Sequence, residues 1–222
     1  MSNTKKIAAI SGASGLVGQE LVKLLLDDPD YKEVISFSRK PLGIKSSKLT
    51  EFVGDLLVDG FFEPLLHADD VYCCVGTTRK KTPDLGEYRS IDYGIPVRMA
   101  QMGMKGSCLQ RFIVISAMGA NAEAKMFYPR IKGQMEMALK ELNIPHLYIL
   151  RPSVIDGSRK EIRTGEQLSI KVMNFFKALI PDKYKTIKAE KIALAMWRLS
   201  KHDIENTIVE SDEVRHLAEA GA

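Results

Sequence analysis

Cysteine is scarce, tryptophan occurs once, and no apolar run is long. Three cysteines, Cys73, Cys74 and Cys108, are too few and too unevenly spaced for a disulfide framework or a CxxC metal site. Cys73 and Cys74, being adjacent, would face opposite sides of a strand. A reducing compartment, the cytoplasm, is therefore expected. Apolar stretches such as Leu24-Leu25-Leu26 or Val114-Ile115 fall far short of the roughly 18 residues that a membrane-spanning helix needs. Behind Lys5-Lys6 the apolar run 7–10 ends at Ser11-Gly12, shorter than the about seven residues of a secretory core. Charge of one sign is lacking too. Lys plus Arg number 32 against 28 Asp plus Glu, a net +4, and only short clusters such as Arg79-Lys80-Lys81 interrupt the scatter. No basic stripe with interleaved aromatics is present, so a nucleic-acid partner is not expected. His67, His146, His202 and His216 show no ligand spacing, and no metal is expected.

What remains is a globular chain of 222 residues, 45% hydrophobic and 27% charged, long enough to bury a full core. Short β-like runs at 7–10, 34–37, 51–53, 71–75, 112–115 and 146–150 alternate with helical patterns. In 16–26 the apolar positions 17, 21, 24 and 25 fall on one helix face. Further helices are expected over about 85–102 and 128–142. Strands alternating with crossover helices mean a parallel sheet covered on both faces, that is, a doubly wound, Rossmann-type α/β fold. After Gly157 the rhythm changes. Amphipathic helices are expected at 167–179, stopped by Pro181, and at 189–199, then a late strand at 207–209 and a short helix at 212–220. The reading is one domain over 1–222, with 157–222 a mostly helical C-terminal elaboration capping the cofactor cleft.

The strongest motif is Gly12-Ala13-Ser14-Gly15-Leu16-Val17-Gly18. It follows one predicted strand and opens a predicted helix, which is the context of a dinucleotide-binding turn. Glycines let the backbone approach a pyrophosphate, and the helix N-terminus offers free N–H groups and a positive dipole end. The spacing is GxxGxxG rather than GxGxxG, and a plain strand-to-helix turn is the competing reading. An NAD site needs a carboxylate about 20 residues on. Here Phe37-Ser38-Arg39-Lys40 carries no acid, and Arg39 and Lys40 could meet a 2′-phosphate instead. NADP is expected over NAD; the bland alternative is a solvated basic turn. Asp55, with Leu56 behind it, lies where the chain would reach the adenine, although Asp55 could equally cap a helix. Gly76-Thr77-Thr78 ends the fourth strand at the edge where ligands of open sheets collect.

Ser116 ends the fifth strand, and Tyr128-Pro129-Arg130-Ile131-Lys132 follows as YxxxK, which puts Tyr128 and Lys132 on one helix face. A neutral phenol shuttles protons poorly at neutral pH, so a neighbouring ammonium is expected to favour the phenolate. The serine would bond the substrate oxygen. Chance makes YxxxK common, and a surface pair is the alternative. Glu136 and Lys140 read as an exposed i,i+4 pair, and Met135, Ala138, Leu139 and Leu142 as the buried stripe of their helix. Trp197 reads as core of the cap.

Taken together, Gly12 to Gly18, Val53-Gly54-Asp55, Ser116-Ala117-Met118-Gly119-Ala120, Tyr128 to Lys132 with Gly133 and Glu136, and Ile149-Leu150-Arg151-Pro152-Ser153 resemble the atypical short-chain dehydrogenase/reductase family. Within it they resemble the Tat-interacting-protein-like branch, over the first ~160 residues of a Rossmann-type unit. The resemblance implies that Ser116, Tyr128 and Lys132 are catalytic, with Lys132 also bonding the nicotinamide ribose. It implies that Arg151, Pro152, Ser153 and Val154 lie beside the nicotinamide. Two departures stand out: Ala117 replaces a second serine, and the segment from Ser116 to Tyr128 is shorter than in larger relatives. The function expected is NADP-dependent hydride transfer to or from a small carbonyl or alcohol whose identity the sequence does not give. The alternative is a catalytically silent NADP-binding regulatory or protein-interaction module. Either is compatible with a homodimer or a protein partner.

Overall fold

The computed structural model describes residues 5–156 and 181–220. Nine strands occur among them: β1 (Lys6–Ser11), β2 (Tyr31–Ser38), β3 (Leu49–Val53), β4 (Asp70–Cys73), β5 (Arg111–Ile115), β6 (His146–Arg151), β7 (Ile155–Asp156), β8 (Ile187–Lys188) and β9 (Ile208–Glu210). Seven form one sheet in the order β3-β2-β1-β4-β5-β6-β9, every pair parallel. β7 and β8 pair separately. The strand order reverses between β1 and β4, and that reversal opens a crevice at their carboxyl ends.

Helices α1 (Leu16–Asp27), α2 (Leu85–Arg89), α3 (Ile95–Lys105), α4 (Phe127–Lys140), α5 (Ala189–Arg198) and α6 (Ser211–Glu219) complete the described elements, with 3₁₀ turns at Glu63–His67 and Asp182–Tyr184. Because strand side chains alternate, each strand feeds two cores. Ala8, Ile10, Tyr72, Ile113 and Leu150 face α1, α5 and α6 through Leu21, Leu25, Ile192, Met196 and Val214. Ala9, Val71, Phe112, Val114 and Ile149 face α3 and α4 through Met99, Met135 and Leu139. Burial on both faces is why the strands read as unbroken apolar runs.

The doubly wound parallel sheet agrees with the expectation, and most boundaries moved by a few residues. Two differences have physical content. The single helix expected over 85–102 is broken by a π-helical segment, Ser90–Gly94, between α2 and α3. Residues 181–220 join the doubly wound unit: β9 extends the sheet beside β6, and the buried face of α5 packs on that of α1. The helix expected at 167–179 lies outside the described residues.

Candidate active site

The turn after β1 is built for close approach. Gly12 has φ +84°, and a Cβ there would lie 2.5 Å from the Cys74 carbonyl carbon at the end of β4. A Cβ on Gly18 would lie 2.2 Å from the Gly12 carbonyl oxygen. These two glycines are required by the chain's own packing. Gly15 is different. It is the N-cap of α1 with φ −79° and ψ 171°, extended backbone open to any residue, and its Cβ would meet only Gly12 O at 3.2 Å. Ala13 and Val17 are buried, Ser14 is exposed and Leu16 half-buried. No side chain caps α1, and its first turn carries no acid. The free N–H groups and dipole end therefore face open space in front of Gly15, a cradle that fits a pyrophosphate.

At the end of β2, Arg39 and Lys40 are exposed, and Ser38 donates its hydroxyl to the Lys40 carbonyl at 2.7 Å. Neither base makes an ion pair among the described residues, and Glu51 of β3 accepts the Leu42 N–H at 2.8 Å. Asp55 is exposed and accepts the Leu57 N–H at 2.9 Å, a local turn contact rather than the helix cap weighed for it, while Leu56 is buried. Of Gly76-Thr77-Thr78, Thr77 is the most engaged. Its hydroxyl meets that of Thr82 at 2.8 Å, and its carbonyl accepts from Tyr88 at 3.3 Å. Thr78 O accepts the Thr82 amide at 2.9 Å.

Tyr128 and Lys132 share a face of α4, as the spacing predicts, but their environments differ. Tyr128 is 40% exposed, whereas Lys132 is 2% exposed. Lys132 Nζ lies 3.1 Å from Asp92 Oδ1 and 3.4 Å from the Ile115 carbonyl at the end of β5. Asp92, 1% exposed on the π-helical segment, uses its other oxygen to accept the Thr77 N–H at 2.8 Å. Burial alone would lower the lysine's pKa, but the Asp92 carboxylate wins and raises it, so the ammonium persists. The phenol of Tyr128 moves the other way from expectation. Partial burial raises its pKa, Asp92 adds to that, and Lys132 only partly offsets them. Desolvation is the largest cause of that rise, and the pull of the Lys132 ammonium on the phenol is larger than the push of Asp92.

Ser116, 3% exposed, donates its hydroxyl to Glu136 Oε1 at 2.5 Å. Glu136 is thus not the surface partner of Lys140. It is 3% exposed and gripped by Arg151, Nε at 3.0 Å and Nη2 at 2.6 Å. Arg151 also reaches Glu210 at 3.2 Å, tying α4 and β6 to β9. Pro152 is buried, Ser153 takes the Ser211 hydroxyl on its own at 3.1 Å, and Val154 is 68% exposed. Tyr88 sets its ring edge-on to Phe127 at 5.4 Å and Tyr128 at 6.4 Å.

Asp92 and Glu136 were missed as site residues, though a signal was present. Tyr88, Asp92, Ile95 and Met99 share one helical stripe and are all buried, so Asp92 is an acid set into an apolar face. Cys73 contributes no nucleophile, since burial pushes its thiol up to about 11. Among the described residues, no group of His, Cys, Asp and Glu could hold a metal, and no helix is long and apolar enough to cross a membrane.

A family described as NAD(P)H-binding matches residues 12–169. HTATIP2 of Rattus norvegicus is 31% identical over 183 residues, 81% of this chain and 73% of that protein. FMP52, a mitochondrial protein of Candida albicans, is 31% identical over 157 residues, 68% of each chain. In fold the chain is similar to a UDP-N-acetylglucosamine 4-epimerase from Methanobrevibacter ruminantium, with TM-score 0.70, 17% identity and coverage of 92% of this chain and 76% of that one. It is also similar to a short-chain dehydrogenase/reductase superfamily protein from Agrobacterium tumefaciens with bound NAD, with TM-score 0.66, 14% identity and coverage of 89% and 74%. A glycine turn at the switch point, a lysine and tyrosine on one face of α4, and kinship with HTATIP2 and FMP52 converge: the chain belongs to the NAD(P)H-binding family, in the HTATIP2-like branch of the atypical short-chain dehydrogenases/reductases.

Proposed function

We propose that this chain is an NADP(H)-dependent oxidoreductase acting on a small carbonyl or alcohol. The observation that carries the reading is the pairing of a half-exposed Tyr128 with a buried, charged Lys132 one helical turn away. The turn at Gly12, Ala13, Ser14, Gly15, Leu16, Val17 and Gly18 would hold the pyrophosphate. Arg39 and Lys40 would meet a 2′-phosphate, which supports NADP over NAD. Asp55, Leu56, Gly76, Thr77 and Thr78 would flank the adenosine half, and Arg151 to Val154 the nicotinamide half, with Lys132 on its ribose. When bound, the cofactor supplies or accepts hydride at the substrate carbon. Tyr128 then gives the substrate oxygen its proton, or takes it in the reverse direction. Ser116, whose own proton goes to Glu136, meets that oxygen only as an acceptor unless its hydroxyl turns. Exposed Met126 and Val154 supply an apolar rim, and a small-molecule substrate is the partner proposed. The cytoplasm is the proposed location; the fungal relatives are mitochondrial by name.

One observation favours the silent-module reading, namely that Ser116 is turned toward Glu136. A single comparison separates the two. NADPH should bind more tightly than NADH, by roughly ten- to a hundredfold for a charge-assisted phosphate contact of ~1.5–3 kcal/mol. With a carbonyl panel, Tyr128→Phe should lose about 10²–10⁴ in turnover while NADPH affinity holds. Equal affinities would remove the NADP assignment. Turnover untouched by Tyr128→Phe, or absent across the panel, would hand the site to the silent module.

A further inference from the structure

Lys132 is the most deeply buried cation of the site, and the structure shows what makes its burial tolerable. An ammonium 2% exposed needs a counter-charge and acceptors for its donors. Asp92 supplies the charge at 3.1 Å and the Ile115 carbonyl an acceptor at 3.4 Å. Asp92 arrives there through the π-helical segment Ser90–Gly94. The same carboxylate binds the Thr77 amide at 2.8 Å, so one side chain joins the loop after β4, the helix of Tyr128 and the end of β5.

We propose that Asp92 is a positioning residue of this site. One oxygen anchors the Lys132 ammonium and the other the Thr77 loop, so that Lys132 is held as an ion pair one helical turn from Tyr128. The inference rests on Tyr128 and Lys132 being the catalytic pair. It deepens that reading by naming what holds Lys132 in place. Of the two hydroxyls expected at the substrate oxygen, Ser116 donates its hydrogen bond to Glu136, which leaves Tyr128 as the donor in the reducing direction. Bound NADPH would supply hydride to the carbonyl carbon as the C=O π pair moves onto oxygen. That oxygen would take the phenol proton, giving the alcohol, NADP⁺ and a tyrosinate that solvent reprotonates.

The charged and titratable groups around the pair are few. Asp92 faces it from the π-helical segment, Tyr88 from α2, Cys73 from β4, and Ser116 bonded to Glu136 from β5. Arg79 acts on Tyr88 from the loop after β4. Among the described residues, Asp92 is the carboxylate in ion-pair contact with the ammonium.

The experiment is a tyrosinate absorbance titration of the cofactor-free protein. Subtracting the Tyr128→Phe curve isolates Tyr128 from the other tyrosines. In Asp92→Asn, the uncompensated ammonium should move the Tyr128 midpoint down by about one pH unit or more, and Asp92→Glu should restore it. A midpoint that stays put or rises in Asp92→Asn overturns the proposal. Should Asp92→Asn not fold, the double variant Asp92→Asn/Lys132→Gln replaces the ion pair with an amide pair. Its midpoint should lie below that of Lys132→Gln alone, which leaves Asp92 uncompensated, and a midpoint equal to or above it would overturn the compensation argument. No turnover or cofactor enters these readouts. Failure of the oxidoreductase reading would show separately, as absent NADPH binding or absent activity.

Discussion

Three glycines in one turn serve two different ends, and the distinction lies at single atoms. Gly12 and Gly18 are held by their own chain, since a Cβ at either would overlap backbone. Gly15 is less constrained: its dihedral angles suit any residue, and its Cβ would press on Gly12 O alone, at a tight 3.2 Å. In the proposed function that space is left for the pyrophosphate. Gly15→Val should therefore fold, with a modest loss of about 1 kcal/mol for a poorer N-cap, but lose the stabilisation that NADPH gives the parent. Ligand at 100 times its Kd raises stability by about 2.7 kcal/mol, which a thermal melt resolves. A variant protected by NADPH as fully as the parent would mean that the turn is not the pyrophosphate site. The spacing of Tyr128 and Lys132 was legible at this scale because the helix period is local. The raised pKa of Tyr128 was not, because it comes first from burial, which packing decides.

Between elements, polar contacts decide how helices seat. Asp28, at the C-cap of α1, receives the Trp197 indole N–H at 2.7 Å and the Asp30 amide at 3.0 Å, with Lys201 Nζ at 2.5 Å. Trp197 is thus a clasp between α5 and α1, with its ring half-buried. Burial alone would raise the carboxyl's pKa, but these donors together lower it. A lowered folded value means stability that is fully present above the ordinary carboxylate range and lost as pH falls through the folded value. Asp28→Asn should cost about 1–3 kcal/mol at neutral pH. In urea titrations the gap from the parent should close below about pH 4. A gap that widens on acidification would rule the clasp out as its source. Helix α4 shows the same logic at the site: Lys132 and Glu136 sit in the stripe of Ile131, Met135 and Leu139, and each is tolerated because another element supplies its partner.

Across the whole molecule, the two ends of the sheet divide the work. The carboxyl ends of β1 and β4 carry the glycine turn and the Thr77 loop, while the amino ends carry a buried polar knot. Asp70, fully buried, accepts from Tyr31 at 2.8 Å and pairs with Lys6 and Arg111 at 3.4 Å each. Tyr31 and Tyr72 share a hydrogen bond at 2.9 Å, and Arg111 continues to Asp203 at 3.0 Å. Removing one partner from a buried set leaves the others uncompensated, so Asp70→Ala should cost about 3–5 kcal/mol. NADPH affinity should stay unchanged, because the knot lies a strand's length from the glycine turn. Equilibrium unfolding and cofactor titration on the same variant check both halves; a large loss of affinity without loss of stability would contradict the division.

The amino-acid sequence by itself determined the alternation of buried strands and crossover helices, the glycine turn at the first of them, the missing acid after β2, and the shared face of Tyr128 and Lys132. Each is a matter of period or adjacency, which backbone geometry enforces within a few residues. Only the tertiary structure decided the site's electrostatics: Asp92 against Lys132, Glu136 against Ser116, Arg151 against Glu210, Trp197 against Asp28. Those partners are brought together by packing two helix layers on one sheet. A buried charge takes whichever counter-charge the fold delivers to it, and chain spacing holds no record of that choice.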